Sequence, residues 1–249
     1  MDFYNKKTIF IIGILVIAVS FNLAYIAVSN THISDDVKTT DLDTVKKQNS
    51  NDLADVENEI KNIRSTFNTE ELSTLNFKDI FSSTVIIGDS QVEGLAVYDI
   101  LNKSSVIAKM GTNINKTTNS SITILKDLSP SSVITLFGMN DILIYQDNID
   151  LFITDYKKLI TAIQKQVPNS KIIINGVMPV SEHVYKNRTI YTKIPDYNKA
   201  LKKMCKDLDI TFVDSSHVVL NNPQLVGPDG MHFAPDFYRH WLNLLKEYI

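Results

Sequence analysis

Val85-Ile86-Ile87-Gly88-Asp89-Ser90 is a β-branched run that stops at a glycine, an acid and a serine. A short run of this kind reads as a buried strand. Helix-compatible sequence from Gln91 to Leu101 follows at once. A serine between a strand and a helix stands where the first N–H groups of the helix point outward and stabilise negative charge. That is a good position for a nucleophile. Working outward from Ser90, the question is whether the chain also supplies a base, an acid to orient it, and donors for an oxyanion.

Strand-like and helix-like stretches alternate from about Phe77 onward. Strands are expected at Val85–Ile87, Ser105–Lys109, Ser132–Phe137, Lys171–Asn175 and Ile210–Val213. Helices are expected over Ile149–Val167, which is strongly amphipathic, over Pro195–Leu208 and over Pro235–Tyr248, and Ile114–Leu128 reads as mostly helical. Five strands separated by helices imply a parallel sheet covered on both faces, and no internal repeat is visible. Functional groups in such a sheet gather at the carboxyl ends of the strands, near a switch in strand order. The first strand ends in Gly88-Asp89-Ser90, the second in Met110-Gly111-Thr112-Asn113, and the third in Phe137-Gly138-Met139-Asn140-Asp141. A strand order of 2-1-3-4-5 makes these three ends adjacent and brings Ser90, Gly111 and Asn140 together.

Acyl transfer through serine needs a base and a group that orients the base, together with donors where the oxyanion develops. Near the C-terminus stands Gly227-Pro228-Asp229-Gly230-Met231-His232-Phe233. Asp229 and His232, three residues apart on one loop, can face the same way, so that the acid holds one ring nitrogen and leaves the other for Ser90. The N–H groups of Ser90 and Gly111 and the side-chain amide of Asn140 are the candidate oxyanion donors. Bland roles stand beside these. Ser90 is also a natural helix cap, Gly111 a natural tight turn, and Asn140 a natural turn residue. Asp89 and Asp141 read as braces for their loops. Asp214 and His217 repeat the Asp-x-x-His spacing, but directly after a strand, where Asp214 or Ser215 reads as a helix cap. His183 lies in a long connection, Ser181 to Lys193, that can shape a pocket. Tyr185, Arg188 and Tyr191 in that connection are candidate substrate contacts or plain surface residues. His32 and His240 have no recognisable partner, and no cluster has metal-ligand spacing.

Taken together, Gly88-Asp89-Ser90, the isolated Gly111, Gly138-x-Asn140-Asp141 and Asp229-x-x-His232 resemble the SGNH (GDSL-type) hydrolase family, over roughly Phe81 to the C-terminus. The four letters of the family name match Ser90, Gly111, Asn140 and His232 in order. Each block is weak alone, and four in the right order are a strong signal. The resemblance implies a flavodoxin-like three-layer α/β/α sandwich with a five-stranded parallel sheet. It implies an esterase or O-acyltransferase with Ser90, His232 and Asp229 as catalytic residues, acting on lipids, carbohydrates or other esters, and no metal or other cofactor. The first block continues Gln91-Val92-Glu93-Gly94-Leu95, which departs from the usual continuation and leaves the subfamily and the substrate open. Val92 also breaks the Gly-x-Ser-x-Gly pattern of the α/β-hydrolase elbow.

The remaining features bear on location. Thr8 to Val28 is an apolar run of 21 residues, interrupted only by Ser20, Asn22 and Tyr25. It is long enough to cross a bilayer core of ~30 Å. Lys6 and Lys7 precede it and no Lys or Arg lies in Ser29–Asp36, so the positive-inside rule places residues 1–7 in the cytoplasm and the chain after Val28 outside. A cleaved signal peptide is the competing reading, given Ala27-Val28-Ser29, but its apolar region is usually only ~7–15 residues. Residues 29–76 read as a polar stalk, with Leu53, Val56, Ile60 and Ile63 on one helical stripe and too few heptads for a coiled coil. Residues 77–249 then form the catalytic domain. The 249 residues, 44% hydrophobic, suffice for one domain with extra parts. A net charge of −3 gives no basic footprint for nucleic acid. The lone Cys205 lies in a helical stretch and reads as a small buried hydrophobe. These features imply an extracytoplasmic enzyme whose substrate is an ester-bearing carbohydrate or cell-envelope component, acetylated polymers first among them. The runners-up are a non-catalytic tethered binding module and a lysophospholipase-like lipid esterase.

Overall fold

The computed structural model describes residues 69–249. The expected cytoplasmic tail, transmembrane anchor and most of the stalk lie outside these residues. In chain order the elements are α1 (Thr69–Thr74), α2 (Phe77–Ile80), β1 (Thr84–Gly88), α3 (Ser90–Val97), β2 (Val106–Ala108), α4 (Ile114–Ser120), α5 (Leu125–Leu128), β3 (Ser132–Leu136), α6 (Asp141–Tyr145), α7 (Ile149–Gln166), β4 (Lys171–Asn175), α8 (Glu182–Asn187), α9 (Ile194–Asp207), β5 (Thr211–Val213), α10 (Ser216–Leu220) and α11 (Pro235–Leu245). Two helical stretches differ from the sequence expectation. The helix after Ser90 stops at Val97, because Asp99 takes a positive φ of 55° and the N–H groups of Ile100 and Leu101 both turn back to the Leu95 carbonyl. Between Ile114 and Leu128, a 3-10 turn at Ile122–Ile124 separates two short helices. The Asn-, Thr- and Ser-rich composition there disfavours a long helix.

All five strands are parallel, in the order β2-β1-β3-β4-β5. Alternate residues of each strand enter opposite cores, as a period of two requires. Val85 and Ile87 of β1, Val133 of β3, and Ile172 and Ile174 of β4 pack with Phe152, Tyr156, Leu159 and Ile163 of α7 and with Tyr197 and Leu201 of α9. On the other face, Ile86, Ile134, Leu136 and Ile173 pack with Val92 and Leu95 of α3 and with Phe237, Trp241 and Leu245 of α11. Leu72 of α1 and Phe77 of α2 join this second core. The sheet is thus buried on both faces, which is why its central strands are near-continuous apolar runs.

The β1–β3 crossing point is the switch in strand order. To one side of β1 the chain moves outward to β2, and to the other it moves through β3 to β4 and β5. The loops after β1, β2 and β3 therefore face one another across a crevice. Cys205 is fully buried in α9, and burial pushes its thiol up to about 12, so it behaves as an inert apolar side chain.

Candidate active site

Ser90 opens α3, and Asp89 caps it by accepting the Gln91 N–H at 2.9 Å. The first N–H groups of a helix have no acceptor within it, so the Ser90 N–H stands at the positive end of α3. Ser90 Oγ lies 2.8 Å from His232 Nε2. The other ring nitrogen, Nδ1, is hydrogen-bonded to Asp229 Oδ2. Asp229 Oδ1 also accepts the backbone N–H groups of Met231 and His232, each at 3.0 Å. A carboxylate with this many donors is fixed in position as well as in charge.

Local sequence explains how the loop holds this pose. The Gly227 N–H bonds the His232 carbonyl at 2.7 Å, closing a tight turn in which Gly230 takes a φ of +74°. A side chain at Gly230 would collide with Ser181 and His183, so space and backbone conformation both demand glycine there. Immediately after His232, Phe233 turns inward and stacks on Phe237, which in turn stacks on Trp241. From the other direction, buried Gln91 donates through Nε2 to the Met231 carbonyl at 2.8 Å, and Tyr238 donates to the Gln91 carbonyl at 2.9 Å. The residue beside the serine thus grips the loop that carries the histidine, 140 positions away in sequence.

The three strand ends meet at one nitrogen. Asn140 Nδ2, after β3, donates to Asp89 Oδ2 at 3.2 Å, after β1, and to the Thr112 carbonyl at 2.9 Å, after β2. Asp141 lies deeper, accepting the N–H groups of Ile114 and Gly138 at 3.1 Å each. Gly111 adjoins Thr112 with a φ of +68°, and a Cβ there would meet only open space. Its glycine is needed for backbone conformation rather than for room. Gly111, Thr112 and Gly88 form part of the wall of a cavity of about 620 Å³.

Electrostatics separate the carboxylates. Burial acts to raise the Asp229 pKa, but the hydrogen bonds from the His232 ring and from the two backbone N–H groups, with the imidazole charge, outweigh it and hold the group at about 2. Burial pushes Asp89 up to about 6, against the pull of the Gln91 N–H and of His232. Burial also pushes Asp141 up to about 7; the Ile114 N–H opposes this and the neighbouring Asp89 charge adds to it. An imidazole bonded to a hydroxyl on one side and to an ionised carboxylate on the other can take the hydroxyl proton and keep the charge it gains.

A folded-state pKa above the unfolded value near 3.8 means that the native state binds more protons over that interval. Ionising Asp89 and Asp141 therefore costs native stability as pH rises from about 4 through 6–7. Asp229, with its pKa depressed, contributes stability above about 4 that is lost as pH falls toward 2. His240, buried and shifted downward, opposes the effect of the two carboxyls near neutrality, but it is one group against two. The expected outcome is a lower unfolding free energy at pH 8 than at pH 5 in guanidinium titrations. ¹³C titration of the aspartate carboxyls should show two midpoints near 6 and 7. All midpoints lying below 4 would refute this account.

Other candidates are placed elsewhere. Asp214 Oδ1 accepts the Ser216 N–H at the start of α10, the capping role expected of it, so Asp214 and His217 are not a second pair aimed at Ser90. His183 bonds Ser181 Oγ through Nδ1 at 2.9 Å on the outer side of the Gly230 turn. Tyr191 corrects the reading of the Ser181–Lys193 connection. A 3-10 turn, Thr189–Lys193, rolls its ring fully into the core, where it is neither a surface residue nor a substrate contact. Tyr185 is partly buried against the same core. Arg188 stays exposed, with Nη1 3.9 Å from Met231 Sδ. Gln91, Thr112 and Tyr238 were not expected from sequence. Only the burial of a polar Gln91 on an apolar helix face hints at them.

The model of the GDSL-like lipase/acylhydrolase family matches residues 86–240, which span β1 to the middle of α11 and contain Ser90, Gly111, Asn140, Asp229 and His232. The chain belongs to that family. It is an esterase or acylhydrolase acting on ester bonds. Solved structures that share its fold include the following three. A GDSL-like lipase from Bacteroides thetaiotaomicron is 18% identical, with a TM-score of 0.51 over 74% of this chain and 95% of its own. A lipase/acylhydrolase from Enterococcus faecalis is 20% identical, with a TM-score of 0.51 over 66% and 96%. An acetyl esterase, solved as a serine-to-alanine mutant with acetate ion, is 15% identical, with a TM-score of 0.50 over 66% and 94%. No curated protein matches the sequence.

Proposed function

We propose that this chain is a membrane-anchored, extracytoplasmic serine esterase that removes or transfers acetyl groups on a carbohydrate or cell-envelope substrate. The observation that carries the mechanism is the unbroken line from Ser90 Oγ to His232 Nε2 and from His232 Nδ1 to Asp229. Ser90 Oγ attacks the ester carbonyl carbon as its proton passes to His232 Nε2. Asp229 holds the imidazole in the required tautomer and stabilises the imidazolium. The tetrahedral oxyanion lies against the N–H groups of Ser90 and Gly111 and the Asn140 amide. Collapse breaks the bond to the alcohol oxygen, which takes the proton from His232 and leaves. Water then attacks the acyl-serine as its proton passes to His232, and collapse breaks the acyl–Oγ bond, returns that proton to Ser90 Oγ and releases the carboxylic acid. A sugar hydroxyl in place of that water gives acyl transfer.

The acetyl assignment draws support from the acetyl esterase that shares the fold, and the location from the charge asymmetry around Thr8–Val28. Incubating the purified full chain with acetylated xylo-oligosaccharide, and separately with lysophospholipid micelles, tests the substrate class. Acetate release without fatty acid release is the expected result, whereas fatty acid alone would make this a lipid esterase. A fluorophosphonate should add one adduct, on Ser90. A chain that stays unmodified would be a binding module. Protease added to intact cells should digest residues 77–249, and their protection would reverse the proposed orientation.

A further inference from the structure

The cavity beside Gly111 has a chemistry that the esterase mechanism does not use. Its apolar lining is Ile107 and Ala108 of the half-exposed edge strand β2, with the largely exposed Met110 in the turn after it. Lys109 and Lys116 stand in its wall, and its lining contains no Asp or Glu. Lys116 Nζ donates to the Gly111 carbonyl at 3.3 Å, so its ammonium is held at the turn that carries a proposed oxyanion donor. On the far side of the His232 loop, Arg188 adds a third cation. Of the acids at this end, two are turned inward, while Asp229 is half exposed and ionised beside His232. Asp89 and Asp141 are buried on backbone and amide N–H groups, and Asp229 is bonded to His232. Glu93, on α3, is not among the residues lining the cavity. Positive charge thus lines a cavity that adjoins the serine site through Gly88, Gly111 and Thr112 without including Ser90 or His232 in its lining.

From this distribution we infer that the ester is carried by an anionic saccharide, with a carboxylate or phosphate group close to the acylated hydroxyl, and that Lys109 and Lys116 read that group. This rests on the esterase reading above and narrows its substrate class. The apolar lining takes the carbon face of a sugar ring, while the two ammonium groups hold the anion and bring the ester toward Ser90. Like-signed charge in a cleft also raises the local concentration of an oppositely charged substrate, an effect that salt removes.

The test compares kcat/KM of the full chain on three acetylated oligosaccharides: a neutral xylo-oligosaccharide, an oligogalacturonide carrying carboxylates, and a glycosyl phosphate. At least one anionic substrate should exceed the neutral one by about tenfold at low salt, and the better of the two identifies the anion. The ratio should collapse in the Lys109→Gln/Lys116→Gln double variant and in 0.5 M NaCl, but persist in Lys202→Gln, which removes an exposed charge from α9. Equal rates on neutral and anionic substrates, or a ratio indifferent to the double variant, would overturn the inference. If no ester is cleaved, the acyl chemistry fails instead, and binding decides the anion site separately. A Ser90→Ala chain should bind labelled oligogalacturonide or glycosyl phosphate about tenfold more weakly once both lysines are replaced, and unchanged anisotropy titrations would refute it.

Discussion

Ser90→Ala is expected to lower kcat for ester hydrolysis by on the order of 10⁵–10⁶-fold, with KM changed only a few-fold. The reason lies in the division of labour at the site. In the proposed mechanism Ser90 Oγ forms the new bond, and its proton passes to His232 Nε2, 2.8 Å away. Removing the hydroxyl leaves the imidazole, its carboxylate and the oxyanion donors in place, so a residual rate above that in water remains. The fold should also survive. Ser90 is at the first position of α3, whose cap is the Asp89 side chain rather than Ser90, and its Oγ bonds the His232 ring. Acetate release from an aryl acetate, measured alongside thermal melting, separates the two effects. A variant that melts like the parent but turns over within a hundredfold of it would exclude Ser90 as nucleophile and point to attack by water.

Much of this site is legible in the sequence alone. The strands are visible because residues buried on both faces must be apolar, which leaves runs such as Val85-Ile86-Ile87 standing out from their surroundings. The positions of Ser90, Asn140 and the His232 loop follow from the ends of those runs and from glycines that mark turns. What was not legible is the set of bonds across sequence. Nothing in the letters says that Gln91 donates to the Met231 carbonyl, because that pairing exists only once α11 has packed against α3 through Tyr238. The inward roll of Tyr191 was hidden for a similar reason. A polar, aromatic stretch with no clear period looks like surface until a single 3-10 turn sends one ring into the core. The cavity wall beside Gly111 comes from Gly88, from Ile107–Thr112 and from Lys116, Thr117 and Ser121, and its lysines look like ordinary solvated charge in the sequence.

The second large effect is expected at Asn140, and there the hydrogen-bond count makes the argument sharper. Replacement by alanine should lower kcat by on the order of 10²–10³, as loss of one oxyanion donor does elsewhere. Yet Nδ2 has two hydrogens, and both have acceptors here: Asp89 Oδ2 at 3.2 Å and the Thr112 carbonyl at 2.9 Å. Asn140 can therefore serve an oxyanion only by turning one of them away from its present partner. A negatively charged oxygen is the stronger acceptor, since a charge-assisted bond is roughly twice as strong as a neutral one. The Thr112 carbonyl is neutral, and the bond to Asp89 is the longer of the two. The exchange is therefore favourable once the tetrahedral intermediate forms, and unfavourable while only the ester carbonyl is present. This is binding that strengthens in the transition state, so Asn140→Ala should lower kcat and kcat/KM together and leave KM nearly unchanged. The same substitution strips a donor from buried Asp89, leaving a less satisfied acceptor at a cost of about 1–3 kcal/mol. That structural loss should appear as a lower melting temperature, most marked above pH 6, where the Asp89 carboxylate is ionised. Kinetics at pH 5, with the carboxyl largely protonated, then isolate the catalytic part. If the kcat deficit persists there at a hundredfold or more, the amide acts on the oxyanion. If it shrinks toward unity, Asn140 is a brace that ties three strand ends together, and the oxyanion is left to the N–H groups of Ser90 and Gly111.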